Sequence, residues 1–348
     1  MSTVSSESTL PAGVSVTIAV VTFRRNDALA GLLPRLADQA AAATATGNPA
    51  HVLVVDNDLA GGAAPVVEAA AQAAAETAGE RTPTPVQIRY VHETEPGIAA
   101  ARTRALDECA TDVLVFIDDD EIPCDEWLAE LLATRAATSA AAVAGPVLPA
   151  YPELTASGGE PLPWIVDGPF HASPDFTDGS LLTHAGTGNL LLDMRQIRAL
   201  GVRMPAVGTR GGEDVMFTDR ITRAGGEIIW CRRAVVTETI PADRLRPAWV
   251  LTRSMIDGSN ESSRQLDPVA ARTVLRRVAL TGAGALRVGA GAARVAAGAA
   301  RRSPGNVGGG LHTLMRGGGM CLGAWDIVHD GYARNGKPRW RRALTREA

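Results

Sequence analysis

The sequence predicts an α/β protein: a mostly parallel, doubly wound sheet flanked by helices, with a basic helical extension after it. Three observations predict this. Apolar β-branched runs alternate with helix-length segments from residue 14 to about 120. Acidic residues gather where those runs stop, which is where ligands bind in such sheets. The charge is also divided unevenly. The 348 residues carry a formal −4, yet residues 268–348 hold 14 Lys and Arg against 3 Asp and Glu, about +11, leaving about −15 on residues 1–267.

The elements follow in order. "VSVTIAVVTF" (14–23) is apolar on both faces, as in a buried parallel strand. "ALAGLLPRLADQAAAA" reads as a helix and "HVLVVDND" (51–58) as a second strand. An Ala-rich helix is expected at about 64–78. "VQIRYVHE" (86–93) is a third strand, "GIAAARTRALDECA" (97–110) a third helix and "DVLVFIDDD" a fourth strand. "AAVAGPVLPAYP" is a fifth strand and exit. Residues 151–183 are rich in Pro, Gly, Asp and Ser and read as a long loop, either a lid or a plain surface excursion. "THAGTGNLLLDMRQIRALG" gives strand then helix, and "GGEDVMFTDRITRAGGEIIWC" a helix closed by glycines, then a strand. Residues 1–13 are expected to be disordered, 14–125 a nucleotide-binding half, 126–260 an acceptor and catalytic half, and 261–348 a helical extension.

Cys109, Cys124, Cys231 and Cys321 are far apart and form no CxxC pair, so neither a zinc site nor a disulfide framework is expected and a cytoplasmic setting fits. The N-terminal stretch lacks the apolar core of a signal peptide, and no run of about 18 apolar residues suggests a membrane span. No nucleic-acid partner is expected. "GGGLHTLMRGGGMCLG" has no GK[ST] ending, which excludes a phosphate-cradling loop and leaves tight helix packing.

The run Asp118–Asp119–Asp120 asks for a cation. Two carboxylates about 5 Å apart repel by roughly 3 kcal/mol at an effective dielectric near 20. Mg²⁺ or Mn²⁺ bound by one or two carboxylates and substrate phosphates would remove that repulsion. Two-residue alternation would point Asp118 and Asp120 together and Asp119 away. A solvated turn is the plainer alternative.

Taken in order, "VVTFRR", "VVDND", "EPGIAAARTRAL", "FIDDDEIP", "GTGNLLL", "GGEDVMFTDRITRAGG" and "TETIPADR" resemble the family 2 glycosyltransferases of GT-A fold, over residues 14–260. No single piece is decisive; the ordered set is specific. The resemblance implies a nucleotide-sugar donor, a UDP-sugar first among them, across the strand ends, and transfer to an acceptor hydroxyl with inversion. Thr22, Phe23 and Arg24 would line the base and ribose pocket, and Asp56 would bond the base. Arg102 would face the diphosphate, Asp119 and Asn189 would lie at the donor, and Asp118 and Asp120 would serve the ribose and the metal. Glu238 stands where relatives place a metal-ligating His, and a structural role competes. Asp214 would be the general base, supported by Glu213, with Gly211 and Gly212 allowing close approach. Thr103 departs from the Asn frequent in the family. Trp164 stacks on an acceptor sugar or packs; His92 and His184 are expected to be structural.

Two other classes compete. A sugar nucleotidyltransferase would carry a Gly-rich loop after the first strand, which "VVTFRRNDALAG" lacks. A non-catalytic glycan-binding relative would have lost the acidic stretches, which are intact.

In residues 272–302, Arg287, Arg294 and Arg301 repeat every seven residues, near one face of a helix. Such a helix would lie on an anionic membrane surface or pack on the body with its arginines in solvent. The many glycines weaken the helix without removing it.

Overall fold

The computed structural model describes residues 13–76, 85–151, 162–206, 212–267, 273–329 and 340–342. The expected disordered N-terminus up to residue 12, Gly211 and Arg272 lie outside the described residues. In chain order the elements are β1 (Val16–Thr22), α1 (Asn26–Ala45), β2 (Ala50–Asp56), α2 (Ala64–Glu76), β3 (Ile88–His92), α3 (Ile98–Glu108), β4 (Val113–Asp118), β5 (Glu121–Pro123) and α4 (Trp127–Thr138). Then follow β6 (Ala142–Ala144), β7 (Val147–Ala150), α5 (Pro163–Val166), β8 (Leu181–Leu182), β9 (Asn189–Asp193), α6 (Met194–Leu200), α7 (Glu213–Arg223), β10 (Ile228–Trp230) and β11 (Val236–Thr239). The chain ends with α8 (Pro247–Gln265), α9 (Val274–Ala300), α10 (Pro304–Gly323), β12 (Ile327–His329) and β13 (Trp340–Arg342). The stretch expected to be one fifth strand is two, β6 and β7, parted by Gly145–Pro146. The expected long loop holds α5 and β8, and its residues 152–161 lie outside the described residues.

The chain forms two compact units. The first comprises Met1–Val147, Pro174–Gly208 and Glu213–Glu238. Its eight-stranded sheet has the order β3-β2-β1-β4-β9-β6-β10-β8. The β3-β2-β1-β4 half is parallel throughout, and β9 runs antiparallel to both β4 and β6. Alternation sorts the side chains. Val16, Ile18, Val20, Val113, Val115 and Ile117 meet α1 and α4 on one face. Ala19, Leu114 and Phe116 meet α3, α6 and α7 on the other. Helices on both faces explain why these strands are apolar along their whole length.

The second unit comprises Leu148–Ser173, Thr209–Gly212 and Thr239–Ala348. The boundary expected at residue 260 falls inside α8. Trp164 packs edge-on against Phe170, their ring centres 5.6 Å apart. Glycine, which weakens the helix expected in the tail, is what permits close packing there. Gly284, Gly291 and Gly298, seven residues apart, are buried against α10. A Cβ on Gly291 would stand 2.5 Å from the Leu314 amide nitrogen, and one on Gly284 2.7 Å from the Gly317 carbonyl oxygen. The intrinsic penalty of glycine, about 1 kcal/mol per residue, is offset by this approach.

Glu261 of α8 ties this unit together. It accepts from Arg287 Nη1 at 3.1 Å and from Arg316 Nη2 at 2.7 Å. Burial works against its charge, but Arg316 and Arg287 outweigh it and hold the carboxyl below its ordinary value. A depressed carboxylate stabilises the fold above its unfolded pKa and ceases to as pH falls through the folded one. Glu261→Gln is expected to destabilise the protein by about 1–2 kcal/mol at pH 7, because a charge-assisted bond is lost between partly exposed groups. Thermal melts of the variant and the parent should converge as the pH falls through the depressed folded-state pKa of Glu261; a gap unchanged with pH would refute the assignment.

Candidate active site

The first unit brings the acidic stretches to one end of its sheet. β1 ends at Thr22, β2 at Asp56 and β4 at Asp118, and register aligns Thr22 with Asp56 and Val21 with Asp118. The alternation expected of the three aspartates does not hold, because β4 stops at Asp118 and the next two residues turn. Asp119 and Asp120 meet instead on Arg25, whose Nη1 lies 2.9 Å from Asp119 Oδ1 and 2.6 Å from Asp120 Oδ2. Asp119 is buried and also accepts from the Thr22 hydroxyl at 2.7 Å. Burial pushes its carboxyl up, against Arg25 and Thr22. Burial likewise opposes the Arg25 charge, but Asp120 and Asp119 outweigh it and raise the guanidinium above its ordinary value.

Asp118 pairs with a different arginine. Its Oδ1 lies 3.0 Å from Arg102 Nη2, and the Arg102 Nη1 bonds Glu213 Oε1. One buried guanidinium therefore joins the acidic run to the start of α7. Glu213 is itself buried, and its Oε2 has no hydrogen-bond partner. Burial holds its carboxyl above the usual range despite Arg102, and the Asp214 charge adds to the rise. Asp214, in the first turn of the same helix, is half-buried and accepts from the Val215 amide at 2.8 Å. A Cβ on Gly186 would sit 3.5 Å from Asp214 Oδ2. One on Gly188 would stand 2.4 Å from Glu121 Oε1 and 3.3 Å from Asp118 Oδ2. The "GTGN" segment thus lies between the two acidic groups, and a side chain at position 188 would push the buried Glu121 carboxylate aside.

Other expected residues have different employment. Asp56 is fully buried. It accepts from the Asp58 and Ala63 amides at 2.9 Å each and from the Tyr90 hydroxyl at 3.1 Å, so it holds its own loop. Asn189, expected at the donor, is enclosed instead. It accepts from Trp127 Nε1 at 2.8 Å and donates to the carbonyls of Pro146 and Ala234 at 3.1 and 2.6 Å. Arg24 has a left-handed backbone (φ 57°), pairs with Asp58 at 3.0 Å and lies 5.0 Å over the Phe23 ring. That conformation is uncommon in a long side chain and reverses the chain just after β1. It is why Arg25, and not Arg24, reaches the aspartates. An open depression of about 600 Å³ is lined by Arg24, Arg25, Asn26, Asp27, Ala28 and Asp58. His92 Nε2 lies 2.7 Å from the Asp58 carbonyl oxygen, a structural role.

Sequence reasoning missed three residues: Arg25, Glu121 and Gly188. Glu121 is buried, and its Oε2 accepts from the Asp118 amide at 2.9 Å. Burial, with the charges of Asp118, Asp120 and Glu238, holds its carboxyl well above the ordinary value. Glu238 stands opposite Glu121 in the β5–β11 ladder, beside the acidic run. The doubled arginine in "TFRRN" and the fourth acid in "DDDE" were the available signals.

Divalent-cation chemistry fits this donor set in a restricted way. Among the described residues no group of three or more His, Cys, Asp or Glu side chains is placed to hold a metal ion. Asp118 and Asp120 are the carboxylates of the run with side chains still open to solvent, 38% and 18% exposed. Two hard oxygen ligands suit Mg²⁺ or Mn²⁺ that completes its shell with phosphate and water, and no closed protein cage is needed.

The Glycosyl transferase family 2 model matches residues 17–192. The succinoglycan biosynthesis protein ExoM of Rhizobium meliloti (strain 1021) is 33% identical over 275 residues, covering 77% of this chain and 81% of its own length. Two crystal structures of S. aureus TarS are similar at 11% identity. The 1–349 fragment gives a TM-score of 0.47 over 93% of this chain and 98% of that one. The other gives 0.44 over 73% of this chain, which spans only 44% of it.

Proposed function

The chain belongs to glycosyl transferase family 2 and is a glycosyltransferase, and from that premise we propose that it moves a sugar from a nucleotide-diphosphate sugar, a UDP-sugar first among candidates, to an acceptor hydroxyl with inversion. The observation that supports this reading most is the Arg102 bridge, which joins the acidic run to the Glu213–Asp214 pair.

Asp118 and Asp120 would hold Mn²⁺ or Mg²⁺ with the donor diphosphate, Glu238 being a further candidate, and a bound ion would neutralise charge on the departing nucleoside diphosphate. Thr22, Phe23 and Arg24 would flank the base and ribose, with Asp56 holding the loop beside them. Asp119 would act through Thr22 and Arg25, fixing the edge of the site. Asn189 would position the "GTGN" segment from inside. Asp214 would take the acceptor proton as the hydroxyl attacks, because it is the more open of the two α7 acids; Glu213 would hold Arg102 in place.

The acceptor, on the strength of the relative named for succinoglycan biosynthesis, would be a growing polysaccharide. Among the described residues no helix is long and apolar enough to cross a membrane. The basic tail would bring the enzyme to the cytoplasmic face, near a membrane-bound acceptor.

Melting the protein with UDP, GDP, dTDP and CDP, each with and without Mn²⁺, tests the donor reading. A ligand at 100 times its Kd adds about 2.7 kcal/mol of stability. One nucleotide should raise the melting temperature only with metal, and Asp120→Ala should abolish that rise. No shift with any nucleotide would overturn the donor site.

A further inference from the structure

The tail's contact surface is not the arginine stripe its seven-residue spacing suggests. Arg287 turns inward to Glu261, and Arg277 to Asp326 and the Ala324 carbonyl. What α9 offers to solvent is apolar. Leu275, Leu286 and Val274 are 81%, 77% and 70% exposed, the three most exposed large apolar side chains among the described residues, and Val278 is 54% exposed. At 100° per residue, Leu275, Val278 and Leu286 lie on one stripe, continued by exposed Gly282, Gly289 and Ala293. The glycine seam faces nearly the opposite way. A solvent-facing stripe of more than five turns with no charged residue is not how a helix in water is built.

Charge selects the occupant. No Asp or Glu occurs between Asp267 and Asp326, whereas eight arginines do. Arg276, Arg294 and Arg301, spaced by 18 and 7, run along one flank of the helix, about 100–120° around from the middle of the apolar stripe. A second copy of this chain would set arginine rows against each other. An anionic phospholipid surface complements them, receiving the apolar stripe below its headgroups and the arginines among them.

We propose that α9 lies in the plane of an anionic membrane, with the Leu275–Val278–Leu286 face inserted and the arginine row at headgroup level. This rests on the reading of the tail as a membrane contact and adds which face makes it.

Vesicle flotation tests both separately, using phosphatidylcholine with and without 30% phosphatidylglycerol, at low and high salt. The wild-type chain should float only with anionic vesicles. Leu275→Glu/Leu286→Glu should reduce the bound fraction at least tenfold, with an unchanged melting temperature, since both side chains are exposed. Arg294→Ala/Arg301→Ala should weaken binding and its salt dependence. If the wild type never floats, the membrane reading of the tail fails. If it floats and the Leu variant floats equally, the tail reading stands and this face is wrong. If it is a dimer without lipid, ignores vesicles, and the Leu variant is monomeric, the face binds a second copy instead.

Discussion

Asp214→Asn is expected to lower turnover at least 100-fold while leaving nucleotide binding intact. Asn has the same shape and still accepts from the Val215 amide, which Asp214 Oδ1 does at 2.8 Å. It cannot take a proton. Losing a positioned general base costs typically 10²–10⁴-fold, and 100-fold corresponds to about 2.7 kcal/mol of barrier. Asp214 suits the role because it is half-buried, whereas neighbouring Glu213 is buried and bound to Arg102. Steady-state turnover beside a nucleotide-induced melting shift separates the two effects. Normal turnover in the variant would remove Asp214 from the chemistry.

Arg102→Met should destabilise the first unit by about 3–5 kcal/mol, the usual consequence of breaking a buried ion pair from one side. Most of this comes from Glu213, whose side chain is 1% exposed; Asp118, 38% exposed, regains water. The melting temperature should fall by about 6–20 °C. Adding Glu213→Gln should recover much of the loss, since no buried charge then lacks its counter-ion. The pH dependence has a definite sign. Burial already raises the folded-state pKa of Glu213, and losing Arg102 raises it further. The variant's deficit should therefore shrink at pH 5, where the carboxyl is protonated more readily, and widen at pH 8. A deficit equal at both pH values, or no rescue by Glu213→Gln, would show that Arg102 contributes only packing.

The parallel half of the sheet was legible because strands covered on both faces are apolar throughout, and "VSVTIAVVTF" and "DVLVFI" admit little else. The acidic residues at the strand ends were legible for the same reason: strand ends are where the periodicity breaks. Which partner each acid takes was not. Asp119 and Asp120 share Arg25 because β4 stops at Asp118, two residues short of where the alternation would have to run. Asn189 looks like a ligand residue in "GTGN", yet Trp127, 62 positions earlier, claims its oxygen. Such long-range hydrogen bonds leave no local signature. The tail was legible as helical and its Gly-rich run as tight packing, but not which glycines make the contact: intrinsic propensity only counts glycine against a helix, and the partner helix alone shows what the missing side chains make room for.

The seam between α9 and α10 also determines which positions of the tail can change over generations. Every missense change in a glycine codon adds at least one carbon, and at Gly284, Gly291 and Gly298 that carbon would lie under 3 Å from the facing helix. No first step is available there that does not push the pair apart. Leu275 and Leu286 face open solvent and can exchange with valine or isoleucine without touching a neighbour. Among descendants of this gene the glycine spacing of seven should therefore persist as a fixed rhythm, while the outer residues drift within one hydropathy class.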